Sequence, residues 1–358
     1  MEPIFLNHVW EYRDIDRAFW DERLEGFMPP TIVDAHIHVD DPSARRVEMT
    51  DAKRKQYWVA EVCQPMPADE LERADAAVYP GRDVSHLAMG LPDLEFDMEA
   101  DNAYVQRECV ARDWPCLTVL DPHWSADRIA AELSQPSVIG LKPYYAMISY
   151  DPNSRDKYIE ADIFDFLPHV ALEQLDARGG WVTLHVPKAG RLAHPANIAQ
   201  IRELRQRYPN VVVVIAHLGR CYTLAHAQAG LAQLADDEGL YWDCSAVLNP
   251  AVYRYALDTL GPQRILYGTD NPFFYMRGRR TWTETGYFNF TSAEFHFNRD
   301  RHESPEIEAG YTLYLYEQLA AIRTACEELS LSPRDVGDLF CNNAHRLIEQ
   351  VRTRKQSW

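Results

Sequence analysis

The hydrophobic residues of this 358-residue chain fall into short apolar runs that alternate with longer amphipathic stretches. The short runs are rich in Val, Ile and Leu and are followed by turn residues, a pattern typical of buried strands. It predicts eight strands, at about 31–39, 84–90, 116–121, 138–144, 181–186, 211–217, 240–246 and 265–270. Helices are predicted between most of them, for example at 99–112, 125–134, 162–178, 195–208, 222–237 and 250–260.

The alternation of strands and helices favours one fold class. Eight strands separated by helices over about 240 residues match an α/β fold of the (β/α)8 TIM-barrel type better than an open doubly wound sheet. We expect residues 1–30 to form an N-terminal extension, and residues 31–358 to form a single barrel domain that ends in C-terminal helices. The connections 40–80 and 271–307 are longer than ordinary ones, so both are predicted to cover the barrel mouth.

The composition and net charge of the chain limit the classes of molecule that it is expected to bind. The net charge of −18 argues against nucleic acid or an anionic membrane as the main partner, and no apolar run is long enough to span a membrane. The N-terminal sequence lacks a basic segment followed by an apolar one, so no secretory signal is expected. Seven cysteines without a CxxC pair indicate free thiols in a reducing compartment, which predicts a cytoplasmic protein.

Polar residues stand where the predicted strands end, and in a barrel these ends build the mouth. They are Asp34, His36 and His38 at the first strand, Lys142 at the fourth, His185 at the fifth, His217 at the sixth and Asp270 at the eighth. His185 and His217 are 32 residues apart, about one strand–helix unit. Period-two alternation places Asp34, His36 and His38 on one strand face.

Histidines and a carboxylate that meet at one mouth suit a divalent, zinc-like metal ion, which prefers nitrogen and oxygen ligands. A catalytic ion of this kind keeps a position open for water, and it lowers the pKa of that water and polarises a substrate carbonyl. A neighbouring histidine or carboxylate can then move protons. The residues alone therefore predict a metal-dependent active site.

Six segments together resemble one family: DAHIH, GLKPY, TLHVP, IAHLGR, YGTDNP and LFCNNAHRL. They are similar to the amidohydrolase superfamily, in particular to the amidohydrolase-related (amidohydrolase 2) branch that includes metal-dependent hydrolases and ACMSD-like decarboxylases. The resemblance covers about residues 30–350 and implies a distorted, catalytic TIM barrel. It implies that His36, His38, His185 and Asp270 are metal ligands. His217 would transfer protons beside one ion or bind a second one.

The resemblance leaves two roles for Lys142. In two-metal relatives a carboxylated lysine at the end of the fourth strand bridges both ions, whereas in other relatives the lysine holds substrate. We expect one divalent ion, zinc or alternatively manganese, with Lys142 in the substrate-binding role. Relatives of this kind are often dimers, so the resemblance also suggests a homodimer.

Further substrate contacts are predicted near the mouth. His123 and Tyr144 follow the third and fourth strands and either contact substrate or serve the loop and the packing. Arg220 either binds a substrate carboxylate or forms a surface salt bridge. Segment 273–303 is rich in aromatic residues and reads as an ordered cover. Its Arg277, Arg279 and Arg280 either face an anionic substrate or are solvated.

The function predicted from these residues is a metal-dependent hydrolase that acts on a small-molecule ester, lactone or amide, carboxylated if Arg220 binds it. Asp270 would accept the proton of the attacking water and His217 would assist the carbonyl or the leaving group. A metal-dependent non-oxidative decarboxylase of the ACMSD-like kind, or a hydratase, is the alternative on the same ligands. A barrel that only binds ligands would be expected to lose some of these residues.

Overall fold

The computed structural model describes residues 3–48, 50–56, 58–151, 155–299 and 301–356. The strands of these residues are β1 (Ile4–Leu6), β2 (Trp10–Tyr12), β3 (Thr31–His38), β4 (Asp83–Met89), β5 (Cys116–Val119), β6 (Val138–Lys142), β7 (Trp181–Leu184), β8 (Val212–Ile215), β9 (Leu240–Asp243), β10 (Ile265–Leu266), β11 (Arg279–Trp282) and β12 (Tyr287–Phe290).

Strands β3 to β10 form one parallel eight-stranded sheet in sequence order. Backbone hydrogen bonds join its two edges, since the N–H of Ala35 donates to the carbonyl of Tyr267 at 2.9 Å and that of Asp270 donates to the carbonyl of His36 at 2.8 Å. The sheet therefore curls into a barrel, and the predicted TIM-barrel fold class is confirmed. All eight predicted strands are present, but most end two or more residues earlier than expected.

The longer helices are Ala68–Val78, Met98–Arg112, Ala126–Leu133, His169–Arg178, Pro195–Arg207, Pro250–Leu260, Tyr314–Glu328 and Asn343–Lys355. Shorter helices are Asp14–Phe19, Asp51–Gln56, Val59–Val62, Ile163–Phe166, Leu224–Gly230, Pro305–Glu308 and Pro333–Gly337, and Trp20–Leu24 and Asp338–Asn342 are π-helical turns. The predicted helix 162–178 is interrupted at Leu167 and Pro168, because proline lacks a backbone donor and disfavours helix before it. No helix in the described ranges is long and apolar enough to cross a membrane.

The C-terminal helix Asn343–Lys355 closes the end of the barrel opposite to the mouth. Its buried residues Leu347 and Val351 pack in one cluster with inward-facing strand residues such as Leu117 and Trp181. The larger apolar cluster lies between the strands and the surrounding helices. Because the interior below the mouth is filled with side chains, polar chemistry is confined to the carboxyl ends of the strands.

The N-terminal extension is attached to the predicted cover segment by a buried ion pair. The guanidinium of Arg277 donates to Asp16 through Nη1 at 2.9 Å and through Nη2 at 2.5 Å, and both side chains are almost fully buried. Nη2 also donates to the carbonyl of Glu11. A bidentate pair of this kind fixes the relative position of the two segments.

We expect Asp16→Asn to lower the unfolding free energy by about 3–5 kcal/mol, because it leaves the buried charge of Arg277 without a counter-ion. Urea unfolding followed by fluorescence measures the change. The matched control is Glu328→Gln, which breaks the exposed pair with Arg254 and should change the unfolding free energy by less than about 1 kcal/mol. Equal effects of the two variants would contradict the structural role of the buried pair.

Candidate active site

Side chains along β3 alternate between the two faces of the sheet, and this alternation is interrupted next to His36 and His38. The ladder between β3 and β4 shifts register between Asp34 and Ile37, while Val33 and Ala35 face the interior cluster. The carboxylate of Asp34 instead accepts from the hydroxyl of Thr269 at 2.6 Å and from the backbone N–H of His36 at 3.0 Å. The prediction that Asp34 shares the strand face of His36 and His38 is therefore wrong, because the local irregularity in β3 places the side chain of Asp34 on a different face from the two histidines.

His38 and Asp270 meet at the mouth. His38 Nδ1 lies 3.1 Å from the carbonyl of Gly90 and must donate to it, so Nε2 is the atom that faces the Asp270 carboxylate at 3.2 Å. Asp270 adopts a left-handed backbone conformation, with φ of +65°, which is uncommon for a residue other than glycine and is enriched at functional sites. Gly268 permits the close approach, since a Cβ there would lie 2.9 Å from the Cβ of His36.

His36 lies at the centre of the polar cluster and is fully buried. Its Nδ1 is 2.9 Å from Oδ2 of Asp243, and its Nε2 is 2.9 Å from Nζ of Lys142 and 3.5 Å from Asp270. Asp243 follows the apolar run of β9 and was missed from the sequence. The signal that could have identified it is the same as for Asp270, an acid where a buried strand ends.

His217 follows β8 in a short left-handed turn, with positive φ at His217, Leu218, Gly219 and Arg220. Its backbone N–H donates to Asp243 at 3.0 Å, and its Nδ1 lies 2.8 Å from the hydroxyl of Ser245. Ser245 in turn donates to Asp243, so it accepts from Nδ1 and leaves the Nε2 of His217 as the unprotonated nitrogen of the neutral ring. The ring stacks on that of His36, with centroids 4.8 Å apart.

His185 follows β7 and lies against His217, with ring centroids 5.2 Å apart. Its Nδ1 is buried and has no hydrogen-bond partner among the described residues. An orphaned buried nitrogen at a polar mouth is costly unless a ligand, ion or water satisfies it. His185 lines the pocket at the barrel mouth. Its nitrogens belong to neither of the two groups of possible metal ligands that are described in the next paragraph.

Two groups of three side chains are compact enough to hold a metal ion within the described residues. One consists of His36, His38 and Asp270, and the other of His36, His217 and Asp243, with one ligand atom of each residue within 4.8 Å of the others. The donor chemistry fits a cation, because His38 Nε2 and the Asp270 carboxylate are two acceptors that face each other. Nδ1 of His36 is hydrogen-bonded to Asp243, and Nδ1 of His38 to the carbonyl of Gly90. Histidines that bind a metal ion through Nε2 typically have such a partner at Nδ1.

Burial and the neighbouring charges shift the pKa values of this cluster. Burial alone would raise the pKa of Asp270, but the histidines around it, His217 first, lower it to about 2. Burial lowers the pKa of His36 to about 4, and the charge of Lys142 adds to this shift. Burial also lowers the pKa of Lys142 to about 8, against the opposing effect of Asp243 and Asp270.

The pocket above the cluster contains three of the four predicted substrate contacts. Lys142, Tyr144 and Arg220 line it, and so do Trp58 of segment 40–80 and Phe273 of segment 271–307. Arg220 forms no salt bridge with any residue that the structure describes, so its alternative role is not seen there, and its Nη1 donates to the carbonyls of Val186 and Lys188.

His123 is placed differently from its prediction. It is exposed, its Nε2 lies 3.0 Å from the carbonyl of Ile148, and it is not among the residues that line the pocket. The geometry is therefore against a substrate contact of His123.

The three arginines of the cover segment have three different environments. Arg277 is in the buried pair with Asp16, Arg279 is exposed beside Glu303, and Arg280 is 5% exposed and lines the pocket. Arg191 also lines the pocket and was missed, because it lies on a loop after β7 where no sequence pattern distinguishes it from solvated arginines.

Two solved structures with TM-scores above 0.5 show the same fold, and the chain is also similar to a third with a lower score. An amidohydrolase from Burkholderia multivorans with bound zinc is 15% identical with a TM-score of 0.55, covering 89% of this chain and 99% of its own. A putative 2-pyrone-4,6-dicarboxylic acid hydrolase from Pseudomonas putida is 17% identical with a TM-score of 0.53, covering 90% and 98%. A 5-carboxyvanillate decarboxylase from Sphingomonas paucimobilis is 15% identical with a TM-score of 0.49, covering 90% and 99%.

No curated protein matches the chain in sequence. The family model described as amidohydrolase (Amidohydro_2) matches residues 33–349, which include every strand of the barrel from the third residue of β3 onward. The resemblance carried by the strand-end motifs is thereby confirmed. The chain belongs to the amidohydrolase family.

Proposed function

We propose that the protein is a metal-dependent hydrolase that cleaves an ester, lactone or amide bond of a small carboxylated substrate. The observation that carries the proposal is the convergence of His36, His38 and Asp270 at the barrel mouth, with ligand atoms within 4.8 Å of one another. His185 would complete the ligand set from the same pocket. The predicted homodimer and cytoplasmic location stay predictions.

In this proposal the site holds one divalent ion, zinc or alternatively manganese. Asp243 and the carbonyl of Gly90 hold the Nδ1 atoms of His36 and His38, which turns both Nε2 atoms toward Asp270. A bound ion supplies Lewis acidity, which activates water and polarises a carbonyl group. Nζ of Lys142 lies 2.9 Å from Nε2 of His36 and lines the pocket. The lone pair of that Nε2 would bind the ion, so Lys142 would be released from His36 to serve as a cationic substrate contact beside the ligands.

Asp270 and His217 would handle the protons. Asp270 is ionised at neutral pH because its pKa is about 2, and its carboxylate can accept a hydrogen bond from the attacking water and then its proton. Burial lowers the pKa of His217, and the Ser245–Asp243 chain leaves its Nε2 unprotonated. This Nε2 would therefore accept the proton that the attacking water releases, directly or from Asp270, and then donate it to the leaving group.

A substrate panel in labelled water tests the reaction type. The zinc- or manganese-loaded protein is incubated in ¹⁸O water with esters, lactones and amides that carry one or more carboxylates, and the products are analysed by mass spectrometry. A hydrolase incorporates one labelled oxygen into the product acid. Release of carbon dioxide from a carboxylated compound, without label in the organic product, would replace the proposal by the decarboxylase alternative.

We expect Asp243→Asn to weaken metal binding by roughly 10- to 100-fold, because His36 loses the carboxylate that orients it. Competition with a chromophoric chelator measures the affinity without any need for a substrate. The control is Asp338→Asn, in the π-helical turn Asp338–Asn342 and not among the residues that line the pocket, which should bind metal like the parent. An unchanged affinity in Asp243→Asn would contradict the assigned orientation of His36.

A further inference from the structure

The pocket is cationic although the chain as a whole is strongly anionic. Four basic side chains line it, Lys142, Arg191, Arg220 and Arg280, whereas Asp270 is the single carboxylate of the lining. The chain carries a net charge of −18. Positive charge concentrated at the barrel mouth of a protein with negative net charge favours the entry and binding of anions there.

The three arginines are anchored by neutral groups. Nη1 of Arg280 donates to the carbonyl of Ala246 at 2.8 Å, Nη1 of Arg220 donates to carbonyls, and Nη1 of Arg191 donates to Nδ1 of His226 at 2.7 Å. Among the described residues, none of the three forms an ion pair with a carboxylate. Their positions are therefore fixed while their charges stay uncompensated, and the Nη2 atoms have no partner in the same ranges.

Contacts with shared groups place these three arginines in one part of the pocket. Those of Arg191 and Arg280 lie 5.2 and 5.7 Å from the ring centre of Tyr222, and that of Arg280 lies 4.3 Å from the ring centre of Tyr287. Nη1 of Arg191 is 3.5 Å from the carbonyl of Arg220. Burial lowers the pKa of Arg191, and repulsion from Arg220 contributes. Such a cluster is relieved when an anion binds.

We propose that Arg191, Arg220 and Arg280 form a subsite that binds the carboxylates of a substrate with at least two of them. The inference rests on the proposed function and narrows its substrate class to small di- and tricarboxylates. One carboxylate pairs well with one guanidinium fork, so a monoanion would leave most of the charge in the pocket uncompensated. Tyr222 and Tyr287 also line the pocket beside the arginines, and their rings provide an aromatic wall for an unsaturated or aromatic substrate body.

Binding of unreactive probes by calorimetry tests the subsite without turnover. The metal-loaded protein is titrated with benzene-1,3-dicarboxylate, benzoate, the uncharged benzene-1,3-dicarboxamide and inorganic phosphate. We expect the dicarboxylate to bind tightest, and its affinity to fall about 10- to 100-fold in Arg280→Gln and in Arg191→Gln, since a hydrogen bond to a charged group is lost in each. The matched control is Arg279→Gln, on the exposed side of the same strand, which should bind the dicarboxylate like the parent.

Each outcome of these titrations either supports or overturns the proposed subsite. Equal binding of benzoate and the dicarboxylate, or parent-like affinity in both arginine variants, overturns the inference, and tighter binding of phosphate reassigns the subsite to phosphorylated compounds. Melting temperatures near that of the parent show that the variants are folded. Failure of the proposed function is seen separately, as tight dicarboxylate binding with no labelled product from any panel member.

Discussion

Replacing Asp270 with Asn lowers kcat/KM by roughly 10²- to 10⁴-fold if Asp270 is the group that accepts the proton of the attacking water. The substitution keeps the size of the side chain but removes its charge and most of its basicity. It also replaces one carboxylate oxygen by an amide NH2 group, which can donate to Nε2 of His38, the atom that now faces the carboxylate at 3.2 Å. Steady-state kinetics on the best substrate of the panel measures the loss.

The metal content of the same sample separates the two roles of Asp270. If the Asn variant keeps its metal while kcat falls, the loss lies in proton transfer. If the metal is lost as well, Asp270 acts first as a ligand. Asp34→Asn is a useful comparison, because Asp34 is more deeply buried than Asp270 and accepts from Thr269, and we expect it to affect stability more than kcat. Full activity of Asp270→Asn would contradict both roles.

The fold and the positions of the strand-end residues were predictable because both follow from periodicity. Apolar runs at regular intervals define the strands, and the parallel barrel topology brings the ends of distant strands to one mouth. This is why His36, His217 and Asp270 could be expected together although they are far apart in sequence. The face on which a strand residue lies is less predictable, as Asp34 shows. The register of β3 shifts after Asp34, and its carboxylate accepts from the backbone of Thr269, 235 positions away in the sequence.

The arginines show what sequence patterns do not contain. Arg277 and Arg280 are three residues apart in the same segment, yet one pairs with Asp16, 261 positions away, and the other points into the pocket. Arg191 on its loop gives no periodic signal at all. The difference between a structural and a ligand-binding arginine lies in which distant group meets it, and only the folded chain supplies that information.

Removing metal with a chelator should abolish turnover and lower the melting temperature, and added zinc or manganese should restore both. A ligand present at 100 times its Kd stabilises the folded state by about 2.7 kcal/mol, which is a measurable shift. Elemental analysis before and after chelation gives the identity and the number of ions. The matched control is His38→Ala, whose melting temperature should no longer respond to chelator or to added metal.

The stoichiometry and the His38→Ala variant together decide between the two compact groups, because His38 belongs to only one of them. One ion per chain that is lost in His38→Ala agrees with the His36–His38–Asp270 group and leaves His217 and its Ser245–Asp243 chain for proton transfer. Two ions, with a carboxyl group added to Lys142 in the intact mass, would instead make Lys142 a bridge and remove it from substrate binding. A chain that keeps full activity and the same melting temperature without any ion would contradict the metal site. The cation beside Nε2 of His36 would then be the ammonium group of Lys142 alone.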